Sequence, residues 1–255
     1  NEILITDSEE KLNFANKLLE MVKTLSANEK HEDTIQKCDL VLKINKNCPE
    51  SYFYRGYSNL RLRKYEDAIL DFDKSIDNGA LNSAEIFNNK GLAKICINDF
   101  KGALNDFNMV SSLCPDHPCP INYEFRGLAN LELGKFEDAI KDFDHAILIN
   151  SNNSTAYGYR GILKSKISNY ESAIDDFSKA LEIEPEDKVN FLNRGDAKYR
   201  ISEYESAIDD FSSAIKIDPQ YLFAIFNRGL AKDKVGDYKG AIEDYSRALK
   251  IDSKD

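Results

Sequence analysis

The chain has 255 residues, 42% of them hydrophobic and 31% charged, with 12 Gly and only 6 Pro. This excludes collagen-like, low-complexity and strongly disordered classes and leaves a folded chain able to bury a core. Its 44 acidic against 34 basic side chains give a net charge of −10, a field that repels phosphate backbones and anionic lipid, so neither nucleic acid nor a membrane surface is an expected partner.

The longest apolar run, Tyr221 to Phe226, is six residues long, far short of the roughly 20 that a spanning helix requires. Five cysteines, at 38, 48, 96, 114 and 119, are odd in number and irregular in spacing. They do not form a disulfide framework, and they point to a reducing, cytoplasmic compartment. The chain opens on Asn1 with no basic-then-apolar leader, and reads as a piece of something longer rather than a mature product.

In chain order, residues 9–48 come first. Leu18, Val22, Ile35, Cys38, Val41 and Ile44 recur at helical spacing and predict a pair of amphipathic helices. From residue 49 one unit then recurs six times, over 49–83, 84–119, 120–153, 154–187, 188–221 and 222–255. Its glycines, Gly56, Gly91, Gly127, Gly161, Gly195 and Gly229, are separated by 35, 36, 34, 34 and 34 residues. Twelve residues after each Gly stands an alanine (Ala68, Ala103, Ala139, Ala173, Ala207, Ala241). Four further on stands an aromatic (Phe72, Phe107, Phe143, Phe177, Phe211, Tyr245), and a second aromatic row, Tyr65 to Tyr238, lies nine after each Gly.

This pattern resembles the tetratricopeptide repeat family, a helix–turn–helix unit with small residues where its two helices touch. The family's closing proline appears as Pro115, Pro185 and Pro219, while Ala80, Ser151 and Ser253 fill that place in the other copies. The resemblance implies an all-α fold, a right-handed superhelical solenoid of about seven antiparallel helix pairs spanning 1–255 as a single domain. Residues 9–48 are its degenerate N-terminal copy, with Val22 in place of the Gly and Thr34 in place of the Ala.

The periodicity also stands by itself. Ile174, Phe177, Ala180 and Leu181 form an apolar stripe, with Glu171, Asp175, Asp176 and Lys179 expected on the other side. The preceding helix, from about Thr155 to Ser168, carries Tyr157 and Ile167 around Gly161, and Gly161 is expected to face Ala173 so that the two backbones approach closely. A single hairpin cannot bury its stripe, so the units must stack. At the C-terminal end Ala241, Tyr245, Ala248 and Leu249 are expected to lie uncovered, suggesting truncation or self-association through that repeat. Longer joints are expected at Asn78–Ser83 and at Cys114–Pro120.

The residue before each Gly is basic (Arg55, Lys90, Arg126, Arg160, Arg194, Arg228), and the residue before each partner aromatic is Asp (Asp71, Asp106, Asp142, Asp176, Asp210, Asp244). Family members usually carry an apolar residue in the first of these places. The two rows predict an intrachain ladder of ion pairs, with capture of acidic tails by a basic strip as the alternative.

By resemblance, the ligand face is the row three before, one after and four after each Gly. These are Phe53, Tyr57, Leu60; Asn88, Leu92, Ile95; Glu124, Leu128, Leu131; Gly158, Ile162, Ser165; Leu192, Asp196, Tyr199; and Phe226, Leu230, Asp233. The row is largely apolar and suits a helix or an extended apolar peptide of a partner protein, unless it merely packs against the neighbouring repeat. No copy has the Lys and Asn that family members use to clamp the acidic tails of chaperones.

Cys114, His117 and Cys119 are too few for a zinc site and read as an exposed loop. With three His in all and no phosphate-binding loop, no catalytic residue, cofactor or metal is expected. The expected function is a non-enzymatic protein-interaction scaffold. The alternatives are an oligomerising module, or the regulatory arm of an enzyme whose catalytic part lies elsewhere.

Overall fold

The computed structural model describes residues 8–80, 83–115 and 120–252. Among them the chain forms fourteen α-helices and no strand. In order these are α1 (Ser8–Ala27), α2 (His31–Ile44), α3 (Pro49–Arg61), α4 (Tyr65–Asp77), α5 (Ala84–Cys96), α6 (Phe100–Leu113) and α7 (Pro120–Glu132). They continue with α8 (Phe136–Ile149), α9 (Ser154–Lys166), α10 (Tyr170–Ile183), α11 (Lys188–Arg200), α12 (Tyr204–Ile217), α13 (Leu222–Lys234) and α14 (Tyr238–Asp252). Two compact units result, one running to Gly134 and the other starting at Lys135.

Within the first unit α1 packs on α2, α3 on α4 and α5 on α6; within the second, α9 packs on α10, α11 on α12 and α13 on α14. Each second helix also packs on the first helix of the next pair, as α4 does on α5 and α12 on α13. This is the expected all-α architecture of stacked helix pairs, with its longer joints where they were predicted, between α4 and α5 and between α6 and α7.

The turn after each first helix closes the same way throughout. One residue adopts a left-handed conformation, at Glu29, Arg63, Asn98, Gly134, Ser168, Ser202 and Gly236, with φ between 58° and 82°. The amide after it reaches back to the last helical turn, as Asn169 N does to Lys164 O at 2.9 Å and Asp237 N to Lys232 O at 2.9 Å. This satisfies carbonyls that the helix leaves without partners. Several first helices are capped by the preceding side chain: Ser83 accepts from Ile86 N, Asn153 from Ala156 N, and Asp187 from Val189 N and Asn190 N.

In five of the pairs the core sets an aromatic ring against a glycine. Phe72, Phe107, Phe143, Phe177 and Phe211 are at most 1% exposed. A Cβ added at Gly161 would lie 2.7 Å from the Phe177 ring, and Gly91, Gly195 and Gly229 meet Phe107, Phe211 and Tyr245 at 2.6–2.7 Å. The nearest side chain to Gly161 is thus Phe177, one turn beyond Ala173 on the same helix, and Ala173 is fully buried as well. At Gly56 the alanine backbone is also among the nearest neighbours, the Ala68 carbonyl oxygen standing 3.2 Å from an added Cβ. Of the side chains expected to lie uncovered in the last pair, Ala241 and Ala248 do not, at 2% and 5% exposed, because both face into the helix pair.

The degenerate pair solves the same packing in reverse. Val22 stands at the Gly position and Cys38 at the Phe position, and both are fully buried. The larger and smaller residues have exchanged helices.

Two further expectations fail. Ile167 is 50% exposed in the turn after α9. Asp176 is not on the solvent side with Glu171, Asp175 and Lys179 but is only 3% exposed. No helix among the described residues is long and apolar enough to cross a membrane.

Candidate protein-binding face

The first helices carry the candidate face, and an ion-pair ladder fixes their orientation. Arg160 donates from Nε to Asp176 Oδ2 at 2.9 Å and from Nη2 to Asp176 Oδ1 at 2.6 Å. Arg55 grips Asp71 in the same way, Arg194 grips Asp210 and Arg228 grips Asp244, each with one bond of 2.6 Å and one of 2.8–3.0 Å. Lys90 reaches Asp106 at 3.4 Å. The predicted ladder is thus formed at these five rungs, and their aspartates are buried, 3–5% exposed, so these are not surface pairs of small effect.

Two features of the ladder were missed by the reading of the sequence. The same aspartates accept a second donor three residues beyond the Gly: Lys94 on Asp106, Lys164 on Asp176, Lys198 on Asp210 and Lys232 on Asp244, at 2.7–2.8 Å, and Asn59 on Asp71 at 3.1 Å. A basic residue at that fixed offset was the available signal. Each guanidinium also spans the joint to the preceding pair. Arg160 Nη1 meets Asp144 at 2.6 Å, Arg194 Nη1 meets Ser178 at 3.0 Å and Arg228 Nη1 meets Ser212 at 3.2 Å. One side chain therefore ties three helices together.

Of the eighteen candidate contact residues, Leu60 and Gly158 are buried and Phe226 and Asp233 are exposed; the others are half-buried. Phe53 and Leu92 pack against the buried cluster of Leu60, Ala68, Phe72, Ile86 and Ala93. Ile162 packs on Ala173, Phe177 and Ala197, Tyr199 on Phe211 and Ala231, and Leu192 on two clusters at once. These five side chains therefore do inter-repeat packing while keeping part of their surface open. Tyr57 stands edge-on to His31, ring centroids 6.2 Å apart. Asp196 faces Arg200 at 3.7 Å on its own helix.

The row also borders hollows at two joints and on the last helix pair. One of about 310 Å³ lies beside Phe53, Tyr54 and Ile86, one of about 230 Å³ beside Gly158, Ile162 and Asn190, and one of about 400 Å³ beside Phe223, Phe226 and Leu249. An added Cβ at Gly158 would lie 2.9 Å from Asn190 Oδ1, so a larger residue there would push that side chain aside. Two polar atoms of the row, Asn88 Oδ1 and Ser165 Oγ, are shielded from solvent and have no hydrogen-bond partner within the protein. Such atoms are costly to leave unpaired.

Of the cysteine loop, His117 and Cys119 lie outside the described residues, and Cys114 is half-buried with a free thiol. Among the described residues no cluster of His, Cys, Asp or Glu could hold a metal ion.

Stacked helix pairs with a partly open apolar row on their first helices define a helical-repeat protein-interaction scaffold. Family models described as tetratricopeptide repeat match residues 122–153, 155–187 and 223–255. Comparison with curated proteins finds no match. Among solved structures, the C-terminal part of a TPR repeat-containing protein from Cytophaga hutchinsonii is 17% identical with a TM-score of 0.75, covering 93% of this chain and 96% of that one. A tetratricopeptide repeat protein from Parabacteroides merdae is 18% identical with a TM-score of 0.67, covering 93% of each chain. YrrB, a TPR protein with an unusual peptide-binding site, is 19% identical with a TM-score of 0.63, covering 74% of this chain and 95% of that one. At these identities the likeness is one of fold. The matched residues carry tetratricopeptide repeats, and the chain as a whole shares the fold of these tetratricopeptide repeat proteins.

Proposed function

We propose that the chain binds a peptide or helix of a partner protein along the first helices of its repeats, in a reducing cytoplasmic compartment and with no catalysis of its own. The supporting observation is the mixed character of the row. Half-open apolar side chains such as Leu92 and Ile162 alternate with the shielded, unpartnered acceptors Asn88 Oδ1 and Ser165 Oγ. Apolar anchors of a ligand would cover the former, while the latter lie beneath the surface and would pair only on rearrangement of the row around the ligand. The similarity to YrrB, whose description includes a peptide-binding site, agrees with this reading.

The test is a crosslinking capture comparing the intact chain with the Tyr57→Glu, Leu92→Glu double variant, with helical content checked in both. Loss of a captured protein from the folded double variant is expected. If every captured protein survives the double change, the row is not the binding face.

A second reading, self-association through the C-terminal repeat, is favoured by one observation: Leu249 of the last helix is 70% exposed.

A further inference from the structure

The hollow between α9 and α11 is set apart by what its walls carry. It is bordered by Gly158, Tyr159 and Ile162 of α9 and by Glu184, Asp187 and Asn190, which end α10 and begin α11. In the other repeats the position three before the Gly bears a side chain: Phe53, Asn88, Glu124, Leu192 or Phe226. Gly158 bears none, and a space of about 230 Å³ lies beside it.

The charged walls of this space are of one sign. Glu184 is exposed, Asp187 is half-buried, and no basic residue borders the hollow. Lys164 of α9 is held by Asp176 at 2.8 Å, and Lys188 of α11 by Asp218 at 2.6 Å with its ammonium over the Tyr221 ring. Asp187 caps α11, accepting from the amides of Val189 and Asn190 and from Asn190 Nδ2 at 2.7–3.1 Å. Those donors are neutral, so its charge is not offset. The candidate row of α9, α11 and α13 has the same bias, with Asp196 and Asp233 as its charged members and no base.

Asn190 supplies an independent indication. It is only 6% exposed, and the bond from its Nδ2 to Asp187 turns Oδ1 toward Gly158, where an added Cβ would stand 2.9 Å from Oδ1 and 3.4 Å from Nδ2. Among the described residues Oδ1 accepts no hydrogen bond. A buried acceptor aimed into a hollow calls for a donor, and the two carboxylates beside it call for that donor to be positive. Water supplies the donor but not the charge.

We propose that this hollow takes a lysine or arginine side chain of the bound polypeptide. Its N–H groups donate to Asn190 Oδ1, Glu184 and Asp187 offset its charge, and its methylenes lie along Ile162 and the Tyr159 ring. This rests on the peptide-binding reading and adds to it a ligand residue of fixed sign at a fixed place.

Selection of a random displayed peptide library on the immobilised full chain tests it, in parallel with Glu184→Gln and Gly158→Leu chains of unchanged helical circular dichroism. Peptides enriched on the intact chain are expected to share one lysine or arginine. In fluorescence polarisation, replacing that residue by methionine in the most enriched peptide should raise the dissociation constant at least about tenfold. Glu184→Gln, at an exposed position, should weaken the basic peptide by at least about threefold, leave the methionine peptide unchanged and flatten the salt dependence. Gly158→Leu fills the hollow and should remove the preference for the base. Enriched peptides with no shared base, or a preference for the base that survives in both variants, would overturn this assignment while the groove reading stands. No enrichment on the intact chain over the bare support would overturn both.

Discussion

Arg160 and Asp176, sixteen residues apart, meet through two near-parallel hydrogen bonds while the same guanidinium reaches back to Asp144 of the preceding pair. The pair thus joins α9 to both α10 and α8. Removing Asp176 leaves Lys164 without its acceptor and Arg160 paired only with Asp144, at a cost of about 1–3 kcal/mol. Asp176→Ala is expected to lower stability by that order in urea unfolding. The Asp176→Ala, Arg160→Ala double variant should lose less than the sum of the single changes, since the two residues share one interaction. Unchanged stability in Asp176→Ala would mean that the pair only decorates the joint.

Gly161 is held by the Phe177 ring, 2.7 Å from where a Cβ would stand. Gly161→Ala gains about 1 kcal/mol of helix propensity and loses about 1–3 kcal/mol to overpacking, so a net destabilisation of small size is expected. Gly161→Val adds bulk without that gain and should be clearly worse. Combining Gly161→Val with Phe177→Cys copies the Val22 and Cys38 arrangement of the first pair, and should recover part of the loss in thermal unfolding. A double variant no better than Gly161→Val would show that the exchange does not transfer between repeats.

Burial pushes the Cys38 thiol up to about 12, well above its ordinary 9.0, with Arg55 pulling weakly the other way. At pH 8 Cys38 is therefore a thiol and not a nucleophile. Exposed Cys96 is expected to react first with a maleimide, and Cys38 only on unfolding, which peptide mapping of the labelled chain reads directly. Because the folded value is the raised one, the contribution of this group to stability is intact below pH 9. It declines as pH rises through the window from 9 toward 12, where only the unfolded thiol ionises.

At Asp244 burial works against the charge, but hydrogen bonds from Arg228 and Lys232 prevail and hold the carboxyl below its ordinary 3.8. The sign follows: the unfolded chain takes up the proton first, so this stabilisation is present above the unfolded value and fades as pH falls below it toward the folded one. Asp244→Asn is expected to be less stable than the parent at pH 7 in urea, with the gap narrowing as pH falls below 4. A gap independent of pH would place the effect in packing rather than in charge.

Much of the fold was legible because its marks are local. The Gly, Ala and aromatic rows recur at fixed offsets, and a helix converts fixed offsets into a fixed face. The basic and acidic rows predicted the ladder for the same reason. The turn residues were less visible, since the left-handed position is Gly only at Gly134 and Gly236. Elsewhere Arg63, Asn98 or Ser168 is forced into it by the closing hydrogen bonds. Of the candidate face, the row itself could be placed by number, but not which members would be sealed. Leu60 and Gly158 are buried and Phe226 is open because a neighbouring pair covers the first two and none among the described residues covers the last.

By itself the sequence determined the helix pair, its repetition and the residues that could meet across it, since all three follow from spacing along a regular backbone. Tertiary structure alone decided that the Phe ring is the nearest neighbour of the glycine, that five of the aspartates are buried beneath two donors, and that Ala241 and Ala248 turn inward while Leu249 stays bare. Those outcomes depend on which atoms of separate helices approach within a few ångströms, a property of packing that no interval along the chain encodes.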